Sequence, residues 1–329
     1  MREQPPPTRP GLAAYATAFG SFPYGNSSAA YSLHVSLLPY LDQQPLYDSI
    51  DRRGMAYNAH SNNATACATN VAGFLCPADF RPQDVPSGWT NYAGNVGSGV
   101  QRDGYNGIFG QSSFGPSIRI VDITDGSTHT VAMAEWLLGT GDKIKVDARR
   151  TIFKTPELLA QASELDRFAN LCRGLDAFPA RPTSLAKGLN WLHGEFISTL
   201  YNHVPGINDR SCTNSGPVQE GAYSAGSLHP GVANALYADG HVDFARDSIG
   251  LPVWRALASR SGGEITGDRR TPASIPGCVP SAVSPRRITM PQFVRRARVV
   301  LASLLVVLSS PAAWAGGGGA TDPPPPPAD

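Results

Sequence analysis

The chain has 329 residues, 41% of them hydrophobic, which is enough to bury a proper core in one or two domains of common size. Its 27 basic and 26 acidic residues nearly cancel, so the charge balance indicates neither a nucleic-acid-binding surface nor an acidic solvating tail. The 34 glycines and 29 prolines favour a loop-rich fold of short strands over a helical bundle.

The N-terminal segment begins with residues 1–10, which include four prolines and are predicted to be disordered. Residues 11–19 read G-L-A-A-Y-A-T-A-F, which predicts a short helix that ends at Gly20. Residues 1–10 contain no apolar run and no signal-peptide core, so we expect no export signal at this N-terminus. A start codon assigned too late, or a truncated paralogue, would explain such a beginning.

Short strands separated by turns are predicted along the first half of the chain. A strand-like run from Tyr31 leads into a helix begun or broken near Pro39, and residues 52–71 are predicted to be loop. Further short strands are predicted at residues 74–77, 90–99, 106–110, 118–121 and 130–138. The last of these segments is mainly apolar and carries Glu135 within it.

The second half is predicted to contain one amphipathic helix, over residues 155–171, because apolar residues recur there at helical spacing. The charged stretch 143–150 is predicted to be solvated, whereas residues 191–204 form an apolar segment. A final helix is predicted at residues 248–258, with Trp254 among its apolar residues.

A β-hairpin is predicted around Asp239 and Gly240, because this D-G pair lies between two runs in which apolar and polar residues alternate. Its strands are residues 234–238 and 241–245, joined by a two-residue type I′ turn with positive φ at both central positions. The P-G pair that follows His229 bends the chain and places this imidazole at the start of the first strand.

Four polar side chains near the hairpin suggest either a metal site or an acid–base pair: His229, Asp239, His241 and Asp243. A calcium loop would need more oxygen ligands at closer spacing than these two carboxylates supply. We therefore favour a structural role, in which Asp239 accepts N–H groups of the turn and His229 caps a strand.

Asp122 and Asp125, in D-I-T-D-G-S, form a possible cation loop, but we favour an Asx-turn at this position. His193 and Glu195 fall short of the H-E-x-x-H pattern of zinc proteases. The chain contains no G-x-S-x-G and no phosphate-binding glycine loop between a strand and a helix. The sequence therefore predicts no catalytic residue, no metal site and no cofactor.

The five cysteines do not form a zinc-binding pattern. If the chain is exported, two disulfides are plausible, and local order favours Cys67–Cys76 and Cys172–Cys212 with Cys278 left over. The alternative is that the cysteines are reduced, buried thiols.

The end of the chain has a different composition. Residues 268–289 are rich in proline, serine and arginine and are predicted to be a linker. Residues 290–329 contain three arginines, an apolar run over 299–308, an A-W-A sequence ending at Ala315 and a Gly/Pro-rich tail. This arrangement is typical of a signal peptide, and we favour a fused neighbouring reading frame over a C-terminal membrane tether, which would be short for a membrane span.

His229, followed after nine residues by Asp239 and Gly240, resembles the signature of the prepilin-type processing-associated H-x(9)-D-G proteins, domain of unknown function 1559. Six further motifs carry the resemblance in order: F-G-S-F-P-Y-G at 19–25, L-L-P-Y-L-D-Q-Q-P-L-Y at 37–47, F-L-C-P-A-D at 74–79, T-N-Y-A-G-N at 90–95, D-I-T-D-G-S-T-H-T at 122–130 and D-S-I-G-L-P-V-W-R-A-L at 247–257.

The resemblance implies a pilin-like α+β domain over residues 11–267, with the remnant of an N-terminal helix packed on a loop-rich antiparallel head. It implies a non-enzymatic protein outside the cytoplasm, periplasmic or on the cell surface, that assembles with other pilin-like subunits in a type II secretion or pilus-like apparatus. The full-length protein would be membrane-anchored, through a missing N-terminal helix or the C-terminal apolar segment.

Two other functions remain open from the residues alone. The first is a secreted glycan- or calcium-binding module that uses the aromatic and acidic loops around Trp89, Trp136, Asp122 and Asp125. The second is a hydrolase that uses His229 and Asp239, which no further motif supports.

Overall fold

The computed structural model describes residues 8–264, with gaps at 57–62, 83–84, 86, 101–104, 142–145, 160, 176–181, 185 and 215–219. The predicted linker at 268–289 and the signal-peptide-like segment at 290–329 lie outside the described residues. Within them the chain is of the predicted α+β class, with short helices and two sheets of mostly antiparallel strands.

The N-terminal helix is confirmed as α1, Thr8–Phe19, and it begins within the segment predicted to be disordered. It ends where Gly20 adopts a left-handed φ of 67°, a conformation that glycine reaches without steric cost. Leu12 and Ala16 lie one helical turn apart and enter the main core, which covers one face of the helix.

Three more short helices follow: α2 Leu33–Leu37, α3 Gln44–Asp48 and α4 Ala64–Ala68. The predicted break near Pro39 is confirmed, since a 3-10 turn over Leu38–Leu41 separates α2 from α3. The prediction of a strand-like run from Tyr31 is wrong, because the Ser32 hydroxyl accepts the His34 N–H and caps the start of α2. The predicted loop at 52–71 contains α4, whose apolar residues Ala66 and Cys67 are buried in a second cluster.

Nine strands are described, and they form two sheets. They are β1 Tyr92–Asn95, β2 Val131–Glu135, β3 Ile152–Lys154, β4 Pro182–Ser184, β5 Leu200–Tyr201, β6 Ser211–Thr213, β7 Gly221–Ala222, β8 Val232–Tyr237 and β9 Val242–Arg246. The main sheet has the order β5-β1-β2-β8-β9 and is antiparallel except for the β1–β5 pair. The strands predicted within 90–99 and 130–138 are therefore confirmed as β1 and β2.

The second sheet has the order β4-β3-β6-β7 and supports helix α5, Leu165–Gly174. A disulfide between Cys172 in α5 and Cys212 in β6 joins the helix to this sheet. The helix begins ten residues later than predicted, nearly three turns, because Thr155 donates its hydroxyl to the Thr213 carbonyl and is fastened to β6. Only the second part of the predicted helix over 155–171 is thus α-helical.

Three predicted strands are instead irregular. The segment at 74–77 follows a 3-10 turn over Ala72–Phe74, and the segment at 118–121 enters another over Ile120–Asp122. The second turn forms because the Asp122 carboxylate accepts the Arg119 N–H at 2.9 Å. The segment at 106–110 bonds to β1 only locally, through the N–H groups of Gly107 and Phe109.

The β8–β9 hairpin is confirmed, but its turn differs from the predicted type I′ connection. Gly240 has a φ of 89°, whereas Asp239 does not have a positive φ. The Tyr237 carbonyl accepts the Gly240 N–H, and the Tyr237 N–H donates to the His241 carbonyl. The loop thus has three residues, with glycine in the left-handed position that follows a type I turn.

The final predicted helix is confirmed as α6, Leu251–Ala256, and its Trp254 packs on a buried histidine. The rings of Trp254 and His203 are stacked with centroids 3.6 Å apart. The Trp254 carbonyl accepts from His203 Nδ1 at 2.6 Å, so Nε2 accepts the Tyr201 hydroxyl at 2.8 Å. This arrangement holds His203 in its neutral form. None of the described helices is long and apolar enough to cross a membrane.

Mild acid is expected to destabilise the fold through His34 and His203. Burial lowers the pKa of each to about 3, whereas the unfolded chain takes up these protons near pH 6.5. The contribution of each neutral histidine to the free energy of unfolding is therefore fully present above pH 6.5. It is lost as the pH falls toward 3, at about 1.4 kcal/mol per pH unit for each histidine. Urea unfolding between pH 7.5 and 5.5 measures this slope.

Replacing one of the two buried histidines separates the effect of histidine protonation from general acid denaturation. We expect His203→Gln to be less stable at pH 7.5 but to lose stability less steeply with acid. The exposed His241→Gln control should keep the slope of the parent protein, and equal slopes for all three proteins would contradict the explanation.

Candidate functional site

Three side chains from distant parts of the chain converge at one end of the main sheet: Cys76, Glu135 and His229. Nε2 of His229 lies 3.7 Å from Sγ of Cys76 and 3.8 Å from Oε1 of Glu135. All three ligand atoms lie within 4.8 Å of one another. Cys76 and Glu135 are buried, whereas 22% of the His229 side chain is exposed, so the cluster opens to solvent on the histidine side.

Glu135 is the last residue of β2, and its carboxylate is oriented by the neighbouring strand β8. Oε2 accepts the Asn234 side-chain amide at 2.9 Å and the Asn234 backbone N–H at 3.3 Å. Because Oε2 takes both of these bonds, Oε1 is the oxygen that faces His229.

His229 precedes β8 and is held by a local turn. Its N–H donates to the Ser227 hydroxyl at 3.0 Å, and its carbonyl accepts the Val232 N–H. The predicted bend is confirmed by the positive φ of 70° at Gly231. The imidazole was predicted to cap a strand, but it points instead toward Cys76 and Glu135.

Cys76 is held by a buried polar network. Its N–H donates to Oδ1 of Asn91 at 3.0 Å, and Nδ2 of Asn91 donates to the Asp79 carboxylate at 2.8 Å. Asp79 forms an ion pair with Arg150 at 2.7 Å, and both side chains are almost fully buried. The predicted solvation is therefore wrong at Arg150, whose guanidinium lies beside a buried carboxylate.

The electrostatics of the cluster keep the Cys76 thiol protonated at neutral pH. Burial and the neighbouring Glu135 carboxylate raise the pKa of this thiol to about 12. A cysteine nucleophile requires a lowered pKa instead. In addition, Cys76 and Glu135 approach the same nitrogen of His229, whereas a catalytic triad places its acid on the opposite ring nitrogen.

The other residues predicted for a site are not brought to this cluster. His229 and Asp239 lie beyond opposite ends of β8, a six-residue strand roughly 20 Å long, so they form no acid–base pair. Asp239 instead accepts from the backbone N–H and Nδ1 of His241, at 3.0 and 2.6 Å. Asp243 accepts the N–H of Phe244 at 2.8 Å.

The possible cation loop is occupied by protein partners. Asp122 pairs with the Arg119 guanidinium, which together with the Arg119 N–H lowers the pKa of this carboxyl to about 2. Asp125 accepts the N–H groups of Gly262 and Gly263 at 2.7 and 2.9 Å. The two carboxylates therefore serve separate structural contacts.

The aromatic residues considered for a glycan surface are inside the protein. Trp89 and Trp136 are fully buried. Their indole N–H groups donate to the backbone carbonyls of Val85 and Thr90. Neither ring presents a face on which a sugar could stack.

The disulfide predictions are half correct. Cys172–Cys212 is confirmed, whereas Cys67 and Cys76 are separate, buried free cysteines. Cys67 packs in the second hydrophobic cluster, while Cys76 faces Glu135 and His229, so the two thiols belong to different parts of the core. Cys278 lies outside the described residues.

The sequence alone did not indicate that Cys76 and Glu135 lie together. Two signals were present, a glutamate inside an apolar strand and a cysteine in F-L-C-P-A-D, one of the motifs that carry the family resemblance. A buried carboxylate requires a partner, but the sequence did not indicate which one.

The fold and the cluster define an α+β protein with a disulfide-linked second sheet and a partly exposed Cys/Glu/His group. The family model described as "Protein of unknown function (DUF1559)" matches residues 11–251, which is most of the chain. The chain belongs to this family, and the resemblance noted from the H-x(9)-D-G signature is confirmed. No curated protein and no solved structure matches the chain.

Proposed function

We propose that the protein is a non-enzymatic, pilin-like subunit that works outside the cytoplasm and assembles with similar subunits in a type II secretion or pilus-like apparatus. The observation that carries this proposal is helix α1, which packs one face on the head and leaves the other exposed. The exposed residues are Ala14, Thr17, Ala18 and Phe19, so three of the four are apolar, and the Thr17 hydroxyl donates within the helix to the Ala13 carbonyl. An apolar helix face of this kind suits packing against a neighbouring subunit.

The family signature supports the same role, because its turn braces α1. A Cβ added at Gly240 would lie 3.2 Å from Cβ of Ala13, so the hairpin turn and the helix are in close contact. The D-G pair thus sets how the helix leaves the head, which is a structural role and requires no catalytic group.

The disulfide favours a location outside the cytoplasm. Stable disulfides form in oxidising compartments and are rare where thioredoxin and glutathione keep thiols reduced. The Cys172–Cys212 bridge lies in the third hydrophobic cluster, beside Phe153 and Phe168, where it fastens α5 to the second sheet.

An arginine on the exposed face of α1 is expected to prevent assembly without unfolding the head. Ala18 lies in the last turn of α1, and Ala68 lies in the last turn of α4, so Ala68→Arg is a matched control. We expect Ala18→Arg to reduce cross-linking to partner subunits in the native cells by about tenfold or more, since a charge would be buried without a partner.

Ala68→Arg should assemble like the parent protein, and both variants should keep its thermal midpoint. The proposal would be overturned if Ala18→Arg assembled as well as Ala68→Arg, or if the parent protein formed no cross-links to other subunits.

A further inference from the structure

We propose that Cys76, Glu135 and His229 form a binding site for Zn²⁺, with a fourth position left open to solvent. This inference does not depend on the proposed assembly, since the site lies at the end of β2 and not on the exposed face of α1. It assigns a ligand-binding role to the histidine of the H-x(9)-D-G signature, whose D-G pair has the separate role of bracing the helix.

The spacing of the ligand atoms supports a zinc site. Around a tetrahedral zinc ion, a cysteine sulfur and a histidine nitrogen lie about 3.6 Å apart, and a histidine nitrogen and a carboxylate oxygen about 3.4 Å apart, as follows from the usual bond lengths. The observed distances are 3.7 Å from Nε2 of His229 to Sγ of Cys76 and 3.8 Å to Oε1 of Glu135. Both distances from the histidine are therefore within a few tenths of an ångström of the coordinating values, and the cysteine and glutamate ligand atoms lie within 4.8 Å of each other.

His229 and Glu135 do not form a direct hydrogen bond with each other. A hydrogen bond between a nitrogen and an oxygen is about 2.7 to 3.2 Å long, so the 3.8 Å separation of His229 and Glu135 is too long for one. Cys76 and Glu135 both face Nε2 and not opposite sides of the ring. The three ligand atoms thus form one compact group.

The charges of the ligands also suit a divalent zinc ion. A zinc-bound cysteine is a thiolate, so Cys76 and Glu135 together would neutralise the two charges of the ion, and the buried site would carry no net charge. Binding breaks the S–H bond of Cys76, releases that proton to solvent and forms the zinc–sulfur bond. No oxidation or reduction takes place. Sulfur, nitrogen and oxygen donors together suit zinc better than calcium or magnesium, which prefer oxygen alone.

Neighbouring groups already orient the glutamate and the cysteine. Asn234 holds the glutamate through two hydrogen bonds, and Asn91 holds the backbone of Cys76. Such outer contacts are typical of metal sites, because they reduce the cost of ordering the ligands when the ion binds. The exposed side of His229 provides a path for the ion and a place for a water ligand.

The test uses the full chain, purified without a histidine tag and with its disulfide intact. Equilibrium dialysis against Zn²⁺ should give one tightly bound ion per chain. Co²⁺ in place of Zn²⁺ should produce the near-ultraviolet absorption of a sulfur–cobalt bond. We expect Cys76→Ser and His229→Gln to weaken zinc binding by about 100-fold or more, since even outer contacts of a metal site contribute up to that factor.

Matched controls exist for both variants. Cys67 is the other buried free cysteine among the described residues, and His241 lies on the hairpin, away from the cluster. Cys67→Ser and His241→Gln should bind zinc as the parent protein does. Equal losses in Cys67→Ser and Cys76→Ser, or cobalt binding without the sulfur–cobalt absorption, would overturn the proposal.

A measurement on the unaltered protein removes the risk that a variant fails to fold. Alkylation of Cys67 and Cys76 can be followed by mass spectrometry under mild denaturant, with and without Zn²⁺. We expect zinc to slow the modification of Cys76 at least tenfold more than that of Cys67. Equal rates with and without zinc at Cys76 would overturn the proposal independently of any variant.

Discussion

Replacing Cys172 and Cys212 together by alanine is expected to lower the free energy of unfolding by about 4 kcal/mol. The bridge closes a loop with a sequence separation of 40 residues, and the unfolded chain regains the entropy of that loop when the bond is absent. Urea unfolding at pH 7.5 measures the difference between the two proteins. A loss of this size is a large part of the stability of an ordinary domain.

The loss of two buried sulfur atoms must be separated from the loss of the bond. Cys67→Ala removes one buried thiol that is not bonded to another cysteine, and it is expected to cost about 1 kcal/mol through the small cavity it leaves. If the double variant were no less stable than Cys67→Ala, the disulfide would not contribute to the stability of the fold.

Asp79→Asn is expected to lower the free energy of unfolding by about 3–5 kcal/mol, because it leaves Arg150 charged and unpaired inside the protein. The two side chains are 1% and 6% exposed, and their atoms lie 2.7 Å apart. Asp79 also accepts the Leu138 N–H and the Asn91 side chain, and Asn91 in turn holds the backbone of Cys76. The same variant should therefore weaken zinc binding at the cluster.

Two further variants test whether burial of the pair is responsible. In Asp79→Asn/Arg150→Met the unpaired charge is gone, so we expect this protein to be more stable than Asp79→Asn alone. Asp122→Asn removes a carboxylate from the exposed pair with Arg119 and should have a much smaller effect. Equal losses for Asp79→Asn and Asp122→Asn would contradict this explanation of the buried pair.

Elements with strong local signals could be predicted from the sequence. The helix before Gly20, the D-G hairpin and strand β2 each depend on residues close together in the chain, and their existence is confirmed. The exact turn was missed because a D-G pair is compatible with both two-residue and three-residue loops. The hydrogen bonds of Tyr237 and the φ angles of Asp239 and Gly240 distinguish the two.

The cluster could not be predicted, because no local pattern connects its members. Cys76 and His229 are 153 residues apart. The pairing of β2 with β8 brings Glu135 close to His229, and Cys76 is held beside them by its hydrogen bond to Asn91. For the same reason the sequence did not indicate that Arg150 would be buried beside Asp79, since a charged residue in a polar stretch is usually solvated. Local order also misled the pairing of Cys67 with Cys76, because Cys67 packs in the second hydrophobic cluster whereas Cys76 faces Glu135 and His229.

The pilin-like role is tested most directly by isolating the native protein from its own cells and determining its location, intact mass and N-terminal peptides. We expect a protein outside the cytoplasm that is associated with other pilin-like subunits. A native protein that remains in the cytoplasm and is associated with no such subunit would contradict the proposed function.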